Sequence, residues 1–167
     1  MRVHAGVWCV VALLNACGGA SESEGGEEGV SISPDPSCAS GQRWTGGNAE
    51  SALMHPGRAC IACHLQGEGP AFGVAGTVFA GSEEANDCLG SADAEVVLHD
   101  ATGKSVSLTA NSAGNFSYSG SLTFPLEAEV RHAGKSRSMG TPVPDGDCNR
   151  CHTAAGENGA PGRILLP

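Results

Sequence analysis

Cys60-Ile61-Ala62-Cys63-His64 and Cys148-Asn149-Arg150-Cys151-His152 each spell C-x-x-C-H, a spacing that serves one chemistry well. Two thiols three positions apart on a tight turn reach the two vinyl groups of one porphyrin. The next residue, His, is carried under the ring to ligate its iron. The residues therefore predict two covalently attached haem c groups, held by thioethers from Cys60, Cys63, Cys148 and Cys151, with His64 and His152 as the proximal iron ligands.

Three other uses of the same residues compete. A zinc ribbon would pair the two C-x-x-C units, but its pairs are usually separated by about 15 to 20 residues. Here the intervening stretch, residues 64–147, holds 84. A thioredoxin-like redox pair opens a helix in a βαβ setting, and no such alternation surrounds either run. A structural disulfide within C-x-x-C closes a very short loop and stabilises little.

Six-coordinate iron needs a second axial ligand, and Met there raises the potential relative to His. Outside the motifs and the leader, the donors are His55, His99, His132, Met54 and Met139. His99 and His132 read as solvated strand ends. Met54 lies six positions before Cys60 and Met139 nine before Cys148, so Met54 or His55 is the candidate for one iron and Met139 for the other. Pro56-Gly57 and Pro144-Asp145-Gly146 mark turns that either fold the chain back over the far face of the porphyrin or only punctuate loops.

The elements that must position these residues read from the ends inward. Arg2 and the apolar run from Val7 to Leu14 resemble an export signal, too short to span a bilayer. Leu14-Asn15-Ala16-Cys17-Gly18 resembles a bacterial lipobox, which implies removal of residues 1–16 and acylation of Cys17; plain cleavage near Ala20 is the alternative. Residues 17–37, with Ser21-Glu22-Ser23-Glu24 and Gly25-Gly26-Glu27-Glu28-Gly29, are acidic and Gly/Ser-rich, a composition that predicts a flexible tether. Of eight cysteines, processing and the two motifs leave Cys38 and Cys88. In an oxidising compartment these two are a disulfide candidate, with two free thiols as the alternative.

A first haem-binding segment is expected over residues 38–73, a β-sandwich over 74–140 and a second haem-binding segment over 141–167. The middle stretch carries period-two or apolar strand patterns at residues 74–80, 94–99, 105–109, 115–118 and 126–131, separated by turn signals such as Asp100-Ala101-Thr102-Gly103. The expected fold is mainly β: a small antiparallel sandwich of about six strands, flanked by two loop or short-helix haem segments. Residues 119–125 read either as a loop or as an edge strand broken by Pro125.

Gly76-Thr77-Val78, Ala94-Glu95-Val96-Val97-Leu98 with Asp100 and Gly103, and Thr109 with Gly114-Asn115-Phe116 resemble the carboxypeptidase regulatory-like and transthyretin-like sandwiches. That resemblance implies a binding or spacer module without chemistry of its own. The chain from Leu53 onward also resembles a group of exported dihaem c-type cytochrome-like proteins of deltaproteobacteria such as myxobacteria, in which one C-x-x-C-H precedes the sandwich and another follows it. The residues that carry this likeness include Met54-His55-Pro56-Gly57-Arg58-Ala59 before the first motif, Ser138-Met139, Gly146-Asp147 before the second, and Gly159-Ala160-Pro161-Gly162-Arg163-Ile164.

A net charge of -9 disfavours nucleic acid and favours a redox partner protein with a basic docking surface. The expectation is a membrane-tethered electron carrier in the bacterial cell envelope, at the outer membrane on its periplasmic or surface side. Alternatives are a small haem enzyme of peroxidase or reductase type, with one iron open, and a surface binding or sensing module with structural haems.

Overall fold

Alternating side chains build the central sheets, and the computed structural model describes them within residues 31–67 and 69–167. The expected leader, Cys17 and most of the acidic tether lie outside the described residues. In chain order the elements are β1 (Ile32–Pro34), β2 (Gln42–Trp44), α1 (Cys60–His64), β3 (Val74–Phe79), β4 (Glu95–His99), β5 (Ser105–Thr109), β6 (Asn115–Tyr118), β7 (Glu127–His132), β8 (Lys135–Ser138), α2 (Cys148–Cys151) and β9 (Ile164–Leu165). β1 and β2 form a hairpin, β6-β3-β9 a three-stranded sheet and β5-β4-β7-β8 a four-stranded one.

The two larger sheets share one core. Val74 and Val78 of β3 and Phe116 of β6 meet Val96 and Leu98 of β4 and Val130 of β7, with Ala94, Ala110 and Leu126 filling between them. Removing these apolar groups from water, at about 25 cal/mol per Å², is the main force holding the sheets together. β5 alternates exposed and half-buried residues, as a strand with one wet face should. Asp100 shapes the β4–β5 turn: one carboxylate oxygen accepts from the Thr102 and Lys104 amides, the other from the Thr123 amide.

β3 is buried along its whole length, because both its edges and both its faces are covered. β6 pairs antiparallel along one edge. The other edge is covered by residues of the C-terminal segment. The Ala75 amide donates to Gly146 O at 3.0 Å, the Thr77 amide to Asn149 Oδ1 at 3.1 Å, and Val78 and Phe79 pair with β9 in parallel. The C-terminal segment is thus part of the sandwich sheet, and the architecture is mixed where a purely antiparallel one was expected. A two-residue strand such as β9 carries no readable alternation.

One further boundary differs from expectation. β1 falls inside residues 17–37, the stretch assigned to the flexible tether, because Ile32 and Trp44 face each other across the hairpin and join a small cluster with Leu89 and Ala113. Residues 119–125 form a loop, and β8 instead supplies the outer edge of the four-stranded sheet. Cys38 and Cys88 are joined, with Cα atoms 5.4 Å apart. The disulfide ties the hairpin to the loop that precedes β4. No described helix is long and apolar enough to cross a membrane.

Candidate haem-attachment site

Each C-x-x-C-H run folds as a single helical turn, which places Cys, Cys and His at positions i, i+3 and i+4 on one side. That arrangement gives the three groups a common face, as attachment to one planar ring requires. All four thiols are free.

The two histidines are held alike. His64 Nδ1 lies 2.8 Å from Pro70 O, and His152 Nδ1 lies 2.8 Å from Gly162 O. A carbonyl oxygen only accepts, so Nδ1 carries the hydrogen in both rings and Nε2 keeps its lone pair for a metal. Such a hydrogen bond also raises the basicity of the ligating nitrogen and fixes the ring's orientation. The Phe72 ring packs against His64, with centroids 4.7 Å apart. Leu65, the residue after His64, is 77 % exposed, an apolar side chain left at the rim of the first turn.

Both turns sit on β3. Gly76 makes room for the second: a Cβ there would come within 2.7 Å of the Phe116 ring and 2.9 Å of Cys148 Cβ. Thr77, a polar residue in an otherwise apolar strand, forms the junction. Its Oγ1 accepts from the Gly57 amide and from Asn149 Nδ2, and donates to Asn115 Oδ1. Asn115 in turn donates to Met54 O at 3.0 Å, which ties the approach to the first turn onto β6.

Asp147 and Asn149 belong to the second motif's segment but serve the first. Asp147 stands at the N-cap position of α2, where its side chain makes no capping bond. Its Oδ2 instead accepts the Ala62 amide of α1 at 3.0 Å, and the Ile61 amide contributes as well. Burial nevertheless pushes the Asp147 carboxyl up, against the pull of those amides, and its Oδ1 is buried without a partner. Asn149 Nδ2 donates to Arg58 O at 2.9 Å and lies 4.0 Å from Cys60 Sγ.

Arg163 is a buried clamp, 4 % exposed. It donates to Glu84 O, Gly57 O, His152 O and Asn86 Oδ1, and its guanidinium lies over the Phe79 ring. Burial lowers its pKa. One side chain therefore holds the backbone ahead of the first motif and at the end of the second.

The first cysteine of each motif sits in a similar environment. Burial pushes the Cys60 thiol up to about 11, and burial with the neighbouring Asp147 charge pushes Cys148 up to about 12. Among the described residues, the one group of three or more donor side chains close enough to share an ion is Cys38, Glu84 and Cys88, and two of these are the disulfide. The motif residues do not converge into a zinc cluster.

Of the candidate distal ligands, Met54 packs against the Trp44, Leu89 and Ala113 cluster. His55 has both ring nitrogens engaged, Nδ1 with Asp87 Oδ1 at 2.9 Å and Nε2 with Asn48 Oδ1 at 3.1 Å. Ligation by His55 would require release of one of these bonds. Met139 lies half-buried just past β8, its amide donating to Ala128 O. His99 bonds Ser105 Oγ at the β4–β5 turn. A hollow of about 510 Å³ is open and lined by residues such as Glu95, Glu129, Arg131 and Lys135; it includes no motif residue.

Sequence reading did not single out Asp147, Asn149, Thr77 or Arg163 as functional. The available signals were faint: a polar residue in a strand of small and apolar ones, and a lone cation in an apolar C-terminal run. No family model, curated protein or solved structure matches this chain.

Proposed function

We propose that this protein is an exported dihaem c-type cytochrome that carries electrons, tethered to the cell envelope through Cys17. The observation that supports this most strongly is the paired treatment of His64 and His152. Each donates Nδ1–H to a backbone carbonyl and leaves Nε2 free, on the same side of a helical turn as two unpaired thiols. Neither a zinc ribbon nor a structural C-x-x-C has a use for a twice-repeated, oriented imidazole next to each pair.

The chain's own groups divide the work. Cys60, Cys63, Cys148 and Cys151 each add across a vinyl group: sulfur bonds the inner vinyl carbon, the thiol hydrogen goes to the terminal carbon, and nothing is oxidised or reduced. When bound, the haem iron supplies one-electron exchange between its ferrous and ferric states. Pro70 O and Gly162 O set the ligand tautomer, while Phe72 and Leu65 offer apolar surface beside the first ring. The Cys38–Cys88 disulfide fits an oxidising compartment, where such bonds persist. The net charge of -9 supports encounter with a basic redox partner whose association slows as salt rises.

Intact-mass spectrometry of protein matured in a bacterium with haem-attachment machinery tests this directly. The expected mass gain is two haems, with pigment retained through acid-acetone extraction, and Cys60→Ser/Cys63→Ser retains one. An unmodified mass, or colour that extracts completely, would overturn the proposal.

A further inference from the structure

Resting on the haem reading, we propose that Asp147 and Asn149 lock the two attachment turns into one unit, so that the two haems form an electronically coupled pair and not two isolated centres.

The contacts are specific. α1 has five residues and no side-chain cap of its own. Its amides are satisfied by Asp147, 85 positions away from Ala62 and directly before Cys148. Asn149, directly after Cys148, spans three parts of the site at once: Arg58 O ahead of Cys60, Thr77 Oγ1 on β3 and, through Oδ1, the Thr77 amide. Its Nδ2 comes within 4.0 Å of Cys60 Sγ. The residue directly after the second motif's first cysteine thus reaches the first motif's first thiol through an amide side chain that is 2 % exposed. Cys60 and Cys148 are also close enough for charge on one to bear on the other. Haems held by the two turns would be anchored through this one junction, with Arg163 clamping the backbone at Gly57 and His152.

A side chain buried this completely, with its amide bonded in three directions, loses its geometry if shortened. Asn149 is a positioning residue: it touches the thiol-bearing turns and is required by neither thioether. Asp147 plays the same part for α1, and an Asn in its place keeps an oxygen to accept the Ala62 amide.

Circular dichroism in the Soret band of the full, matured ferric chain tests the pair. Two close haems give a two-signed couplet; isolated haems give single-signed bands that add. The wild type is expected to show the couplet, and Cys148→Ser/Cys151→Ser to lose it while keeping one haem. Asn149→Ala, with two haems by mass, should reduce its amplitude more than twofold, whereas Asp147→Asn should preserve it. Absence of haem by mass would sink the cytochrome reading itself. Two haems whose wild-type spectrum equals the sum of the two single-haem variants would overturn the pair and leave that reading intact. An unchanged couplet in Asn149→Ala would overturn the positioning role. If Asn149→Ala fails to load haem, reductive titration decides: single-haem midpoints that together reproduce the wild-type curve overturn the coupling.

Discussion

The first and second C-x-x-C-H turns have the same motif and opposite kinds of support. The second is stitched to a central strand by backbone and amide hydrogen bonds, from Ala75 to Gly146 and from Thr77 to Asn149. The first hangs from loops: Arg58 and His55, just ahead of it, are held by Asp87, and Asp87 is adjacent to the disulfide at Cys88. Its helix completes its amide bonding with a carboxylate from the other turn. A motif dictates which atoms converge on a cofactor, whereas the scaffold decides how firmly they are held, and here the two turns differ in the second respect only.

Cutting the disulfide should widen that difference most. The bridge spans 50 residues, for which loop-closure entropy gives about 4 kcal/mol. Cys38→Ser/Cys88→Ser is expected to lose stability of that order in urea unfolding. Hydrogen exchange should accelerate around residues 48–64 more than around residues 143–152; equal acceleration in both would show that the disulfide supports the second turn as much as the first.

A smaller effect is expected at Asp87. Burial pushes its carboxyl up, but the hydrogen bonds from Arg58 and His55 outweigh this and hold it below the ordinary carboxylate range. Its contribution is therefore complete above the unfolded value of about 3.9 and is lost as pH falls through the lower folded value. Asp87→Asn should cost about 1–2 kcal/mol at neutral pH, with the variant and wild-type curves converging in acid. Parallel pH curves would remove Asp87 from the support of the first turn.

Asp147 should give the least change and the opposite sign. Burial raises its carboxyl, so ionisation at neutral pH works against the folded state, and protonation on acidification relieves it. Asp147→Asn keeps the acceptor for Ala62 and removes the buried charge. Stability is expected to change by less than about 1 kcal/mol, any gain appearing at neutral pH and vanishing below the raised folded value. A large loss at neutral pH would mean that the negative charge itself holds α1.

Much of this arrangement was legible before any coordinates. The two motifs stand out by their spacing, and the strands from Val74 to Arg131 show either the period-two pattern of one buried face, as in β5, or the apolar run of a strand buried throughout, as in β3. Cys38 and Cys88 stand out as the two cysteines that neither the expected processing nor the motifs claim. What stayed hidden is long-range. Asp147 reads locally as the cap of α2 and instead caps α1. Arg163, a lone cation near the end of the sequence, is buried among carbonyls. β8 is exposed at every position, so it carries no alternation, and β1 draws its partner Trp44 from beyond a turn.

Residues 146–149 and 164–165 close one edge of β3, and they lie far beyond it in the chain. Until they arrive, the middle strand of its sheet has a bare flank and Ala62 no acceptor from Asp147. Such distant contacts form late. Cys60, half-buried in the folded chain, therefore stays uncovered until residues far beyond it in sequence have docked.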